Sequence, residues 1–209
     1  MENRILEFYK KVSMYTNYGL YKSYFISLPD GIAELAKLIR FQTIHRVELR
    51  RAFLSEEDNL IKKEYPWYQY RLHDNILLTA PAMTAELFRM DTRGFTYAGE
   101  IKHKAILTCR YVSVLTASIL KAKGYACRVR SGFGNYFKSK DVAIDHWIVQ
   151  YWNEEEQRWL NLDADNANTL QDFDVFDMDT KGRYLFAAQA WLDVRSGKRN
   201  VDYFAHGNF

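Results

Sequence analysis

The sequence predicts an α+β protein, with a mainly helical first half followed by a helix packed on an antiparallel sheet. Three observations carry that expectation. In the first half apolar residues recur at helical spacing, as at Ile32, Leu35, Ala36 and Ile39. After Gly124 the period falls to two, with Cys127, Val129 and Ser131 on one side and Arg128 and Arg130 on the other. Aromatic residues make up 16% of the chain, a share that favours strands and large packed side chains over a plain helical bundle.

Taken in order, the first predicted helix starts at Ser27-Leu-Pro-Asp-Gly31, with Ser27 or Asp30 available as its cap. A second runs from Ser55 to Tyr65, and others flank Pro81. Ala105 to Lys123 reads as a helix carrying Cys109 near its start. Val112, Leu115 and Ile119 lie on one face, and Gly124 supplies the stop. Tyr125 to Phe133 is a strand. Ile144 to Trp152 and Arg158 to Asp163 form a hairpin around Asn153-Glu-Glu-Glu-Gln157. The 209 residues suit a single domain. It divides into a helical part over 1–104, a core over 105–170 and an extension over 171–209.

Composition excludes several classes. Apolar residues are 48% and charged ones 26%, the balance of an ordinary globular protein. The net charge is +3 and no Lys/Arg stripe is interleaved with stacking aromatics, so nucleic acid is not an expected partner. The N-terminal residues lack a signal-peptide pattern, and no apolar run reaches the ~20 residues of a membrane span. Cys109 and Cys127 are the two cysteines. So few thiols in so large a core point to a reducing, cytoplasmic setting, with a Cys109–Cys127 disulfide as the alternative.

The chemistry starts from hairpin register. With a loop of Asn153 to Glu156, Trp152 faces Gln157, Gln150 faces Trp159, Ile148 faces Asn161 and His146 faces Asp163. Facing residues share a side of the sheet with Cβ atoms about 4.5–5.5 Å apart, which puts a carboxylate against an imidazole. An odd loop would send the two side chains to opposite faces. Cys109, near a helix start, adds a thiol whose pKa the helix dipole and unpaired N–H groups lower. The set predicts a nucleophile (Cys109), a general base (His146) and an orienting acid (Asp163).

Those residues also carry a resemblance. Thr108-Cys-Arg-Tyr-Val-Ser-Val-Leu115, Gly124-Tyr-Ala-Cys-Arg-Val-Arg-Ser-Gly-Phe133, Asp145-His-Trp-Ile-Val-Gln-Tyr-Trp152 and Arg158-Trp-Leu-Asn-Leu-Asp-Ala-Asp165 resemble the transglutaminase-like superfamily. Tyr136-Phe137 and Phe186-Ala-Ala-Gln-Ala-Trp191 look like its bacterial, uncharacterised members. The resemblance implies a papain-like core with Cys109, His146 and Asp163 as the triad in that chain order. Thr108 and Ala126 depart from the Asp and Pro that relatives often carry there. Relatives also often continue past the final Ala205-His-Gly-Asn-Phe209, which marks this chain as a shorter version or a fragment. Superfamily members include cross-linking enzymes, peptidases, amidases and inactive forms, so the fold leaves the reaction open.

Other residues receive plainer readings. Cys127 follows the core-facing parity of Val129 and is structural. Asp145 faces away from His146 and is solvated or bonded elsewhere, while Asp165 is the alternative orienting acid. His45, His73, His103 and His206 read as surface or core residues, with His103 as a candidate cleft residue. Asp177, Asp179 and Gly182 match part of a calcium loop, but Lys181 and Ala188 break it, so no metal is assigned. Trp147 packs beneath the sheet, and Tyr136 and Phe137 edge the cleft. Trp67, Tyr97 and Asn75 are candidates for a second oxyanion donor.

The expected function is cysteine-dependent acyl transfer at an amide through a thioester on Cys109, with peptidase- or amidase-like hydrolysis ahead of protein cross-linking. The substrate would be a peptide, a protein or a small amide, with no cofactor and no membrane. The alternative is a catalytically silent module that binds a peptide or protein partner.

Overall fold

A long central helix and a five-stranded sheet organise the chain in a computed structural model that describes residues 2–66, 75–137 and 142–207. Helices dominate the first half: α1 (Glu2–Lys10), α2 (Lys22–Ser27), α3 (Ile32–Phe41), α4 (Arg46–Leu54), α5 (Leu60–Glu64) and α6 (Ala80–Met90). The periodic stripe of α3 is buried as expected at Leu35, Ala36 and Ile39. Its cap is Gly31, not Ser27 or Asp30, because Ser27 closes α2 and its hydroxyl donates to the Tyr24 carbonyl. Ser55 likewise ends α4 and does not begin a helix. Pro81 sits inside the first turn of α6, where its missing N–H costs nothing.

The predicted helix from Ala105 is two elements. Ala105–Ile106 is strand β2, paired in parallel with β1 (Thr43–Ile44), and helix α7 begins only at Cys109 and runs to Ala122. Gly124 follows α7 at φ +93, the left-handed conformation that the stop needs. Strands β3 (Cys127–Gly134), β4 (Ala143–Asn153) and β5 (Arg158–Leu162) make an antiparallel meander, and β6 (Tyr184–Phe186) adds to the far side of β3. After helix α8 (Ala187–Arg195), strand β7 (Phe204–Ala205) pairs in parallel with Ala143 and Ile144. The chain is thus α+β, with α7 against the sheet as the sequence predicted.

Val112, Leu115, Ile119 and Leu120 of α7 are fully buried and share one core with Cys127, Val149, Leu160 and Leu162 from the sheet. Each such side chain contributes about 1.5–3 kcal/mol of burial, enough to fix where α7 lies on the sheet. Among the described residues no helix is long and apolar enough to cross a membrane.

The hairpin corrects the predicted register by two residues. Its turn is Glu154–Gln157, with Gln157 at φ 51, so Asn153 faces Arg158 and Trp152 faces Trp159. The loop stays even and side-chain parity survives, but His146 has no partner in β5. The β4–β5 ladder ends at Val149 and Leu162, whereas β7 covers only Ala143 and Ile144. Between them a short turn, Ala164–Asn166, packs on both β4 and α7. That break in the sheet is where the candidate site lies.

Candidate active site

Cys109 is the first residue of α7, and the extended Thr108 before it makes no side-chain cap. The Thr108 carbonyl accepts from Tyr111 and Val112, so the N–H groups of Cys109 and Arg110 lie ahead of the helix ladder. The thiol is therefore at the positive end of the longest described helix, only 7% exposed. Hydrogen-bond and charge interactions link it to two imidazoles, His146 and His45.

His146 comes from β4, opposite Gly132 of β3, and is 2% exposed. Its Nε2 lies 2.9 Å from Asp163 Oδ1. With Nε2 as donor to that carboxylate, Nδ1 is the nitrogen left for the sulfur. Tyr184 fixes the backbone here, its hydroxyl donating to the carbonyls of His146 (2.9 Å) and Arg130 (3.2 Å). The Tyr184 ring occupies the space over Gly132, where a Cβ would stand 2.6 Å from the ring, so only glycine fits.

Asp163 does not face His146 across a ladder as predicted. It stands one residue past the end of β5, caps the Ala164–Asn166 turn and reaches His146 through its side chain. The carboxylate is fully buried and takes donors on both oxygens. Oδ2 accepts from Tyr136 Oη and Asn166 Nδ2, each at 2.8 Å, and Oδ1 accepts from the Asn166 backbone as well as His146.

These contacts decide the charge states. Burial alone would raise the Asp163 pKa, but His146 and the surrounding donors outweigh it and hold the carboxyl ionised. Burial also opposes an imidazolium at His146, yet the Asp163 carboxylate and the Cys109 sulfur lift it well above its ordinary value. For Cys109 the burial that would raise the thiol is overcome by His146 beside it, and the pKa falls. All three shifts act in the direction of a thiolate–imidazolium pair backed by a carboxylate. Burial and Asp163 together raise Tyr136, keeping its phenol a donor.

Sequence reasoning missed four contributors. Tyr136, placed at the cleft edge, is a ligand of Asp163, and its neighbour Phe137 lies edge-on to the His146 ring at 4.9 Å. Asn166 and Tyr184 were not singled out. His45, an ordinary histidine by pattern alone, lies at the thiol. Asp165, the alternative orienting acid, serves Arg40 (Nε to Oδ1 3.3 Å) and His45 (3.8 Å).

The remaining candidates sit elsewhere. Asp145 pairs with His206 at 3.0 Å, the bonding away from His146 that its parity implied. His103 faces Asp91 at 3.7 Å. Tyr97 donates to the Glu34 carbonyl, and Asn75 accepts from Arg46. Trp67 and His73 lie outside the described residues. Cys127 is fully buried, with its thiol donating to the Ala117 carbonyl at 3.3 Å, and both cysteines are free thiols. Asp177 pairs with Arg158, Asp179 accepts from the Lys181 backbone, and among the described residues no His/Cys/Asp/Glu group could hold a metal ion.

No family model matches the chain, and no curated protein matches it. Among solved structures it is similar to a crystal structure from Cytophaga hutchinsonii described as a "Putative Cysteine Protease", at 11% identity and a TM-score of 0.44. The match covers 78% of this chain, which spans 42% of that protein.

Proposed function

We propose that this chain is a transglutaminase-like cysteine acyltransferase that attacks an amide carbonyl of a peptide, a protein or a small molecule. The observation that carries the proposal is the Cys109 thiol at the start of α7, engaged by an imidazole that is itself held by a buried carboxylate. The Cys109 thiolate adds to the carbonyl carbon and the π pair moves onto oxygen. As the C–N bond breaks, His146 Nδ1 gives its proton to the departing amine, leaving a thioester on Cys109. Water then adds, His146 takes its proton, and the thiolate leaves with release of a carboxylic acid. Asp163 keeps Nε2 protonated and stabilises the imidazolium throughout. An amine in place of water would turn the same steps into transamidation.

The test is alkylation by iodoacetamide as a function of pH. Because the Cys109 pKa is lowered and that of His146 raised, the expected profile keeps its reactivity well below the ordinary thiol range of about 8.5. Cys127 should stay unlabelled. An ordinary thiol profile at Cys109, unchanged by His146→Ala, would reject the proposal in favour of a catalytically silent binding module. Mass spectrometry after exposure to mixed amides and amines separates hydrolysis, the proposed outcome, from cross-linking.

A further inference from the structure

Acyl transfer builds negative charge on the attacked oxygen, and an enzyme that speeds it places N–H or O–H donors there in advance. The Cys109 backbone N–H, free of the helix ladder, is one such donor. Tyr97 already donates its hydroxyl to the Glu34 carbonyl. His45 is better placed. It follows β1 directly and caps α4, just as Cys109 follows β2 closely and opens α7. Since Ile44 pairs in parallel with Ile106, the two helix starts lie side by side and the His45 ring reaches the Cys109 sulfur.

The ring's chemistry is fixed by its surroundings. Nδ1 accepts the Val47 backbone N–H at 3.2 Å, so in the neutral ring the proton belongs to Nε2. Nε2 lies 3.8 Å from Asp165 Oδ2. Arg40 holds Asp165 through its side chain (Nε to Oδ1, 3.3 Å) and through its carbonyl (2.6 Å), and it also bonds Glu48 at 2.6 Å. Glu48 in turn accepts the backbone N–H of His45 at 2.8 Å. A closed circuit of Arg40, Asp165, Glu48 and the α4 start therefore orients one imidazole N–H beside the nucleophile.

From this arrangement we infer that His45 is the second oxyanion donor, its Nε2–H joining the Cys109 backbone N–H on the carbonyl oxygen as the sulfur adds to carbon. His45 transfers no proton, because its only basic nitrogen is already occupied by Val47. The bond strengthens as the π pair moves onto oxygen and relaxes when the C–N bond breaks. The two imidazoles divide the work: His146 moves protons and His45 only donates a hydrogen bond. This inference rests on Cys109 being the acyl-transfer nucleophile.

Two probes of the same sulfur separate the inference from its premise. Iodoacetamide reacts at a saturated carbon and develops no carbonyl oxyanion. p-Nitrophenyl acetate acylates through one, read as single-turnover release of p-nitrophenolate. Both rates are compared on their pH plateaus, where Cys109 is fully thiolate. For His45→Ala the expected result is acylation slowed by about 10²–10³-fold with iodoacetamide reactivity within about threefold of wild type. His45→Gln retains an N–H donor and a cap acceptor, and should recover about tenfold or more of that loss. Unchanged acylation in His45→Ala overturns the inference, as do equal losses with both probes, which would mean that His45 merely holds the thiol. If the wild-type Cys109 is not acylated at all, the premise fails, and that result is visible before any His45 variant is made.

Discussion

Cys109 and Cys127 are both buried thiols, and their surroundings drive them in opposite directions. Cys127 begins β3 against the flank of α7, with a backbone carbonyl as its hydrogen-bond acceptor, and burial pushes it up to about 12. Cys109 opens α7 and meets two imidazoles, and its pKa falls although burial acts on it too. Burial therefore does not make a cysteine inert. What matters is whether the charged form finds a partner before water is removed. The start and the flank of one helix show this directly, because the start of α7 offers unpaired N–H groups and its flank offers none.

The comparison can be broken at several points. Removing the proposed nucleophile has the largest expected effect. Cys109→Ala should abolish thioester formation, a loss on the order of 10⁴-fold or more, leaving Cys127 unable to substitute in the nitrophenyl ester assay. Asp163→Asn should lower acylation by about 10²–10⁴-fold, since the amide cannot stabilise the imidazolium or fix its tautomer as a carboxylate does. His146→Ala should make Cys109 resemble Cys127. Its alkylation midpoint should rise to about 8.5 or above, and labelling at pH 6 should drop by about 10²-fold in a mass-spectrometric assay.

Smaller changes sharpen the contrast. Gly132→Ala would displace the Tyr184 ring that holds the His146 carbonyl. The expected result is about 1–3 kcal/mol lost in urea unfolding, together with reduced acylation. Cys127→Ala removes one buried sulfur and should cost about 1–2 kcal/mol while leaving the Cys109 pH profile unmoved. If that profile shifts, the two thiols are coupled through α7 and the contrast needs revision.

The sequence made some of this legible and hid the rest for identifiable reasons. Val112, Leu115 and Ile119 announced α7, and strict alternation from Cys127 announced β3, because local periodicity follows local burial. The expected hairpin register differs by two because Gln157 adopts a left-handed conformation that its type rarely takes, which moves the four-residue turn one position on, to Glu154–Gln157. Asp163 still reached His146, since an even shift preserves the face. His45 could not be read from pattern at all. Its closeness to Cys109 depends on a parallel pairing of two-residue strands, too short to show alternation and far apart in the chain. Asp165, the alternative acid for His146 by parity, serves Arg40 and His45 instead.

That β1–β2 pairing also bears on the order of events during synthesis. Cys109 is made before His146 and Asp163, and at that stage it is an ordinary thiol with a pKa near 8.5, mostly protonated at neutral pH. The shift to a lower pKa needs His146 beside the sulfur, and so needs α7 docked on β4. Non-local contacts of this kind form late, because chain closure must come first. A growing chain therefore holds Cys109 as an ordinary thiol, and the contacts that lower its pKa are complete once β4 and Asp163 have folded against α7.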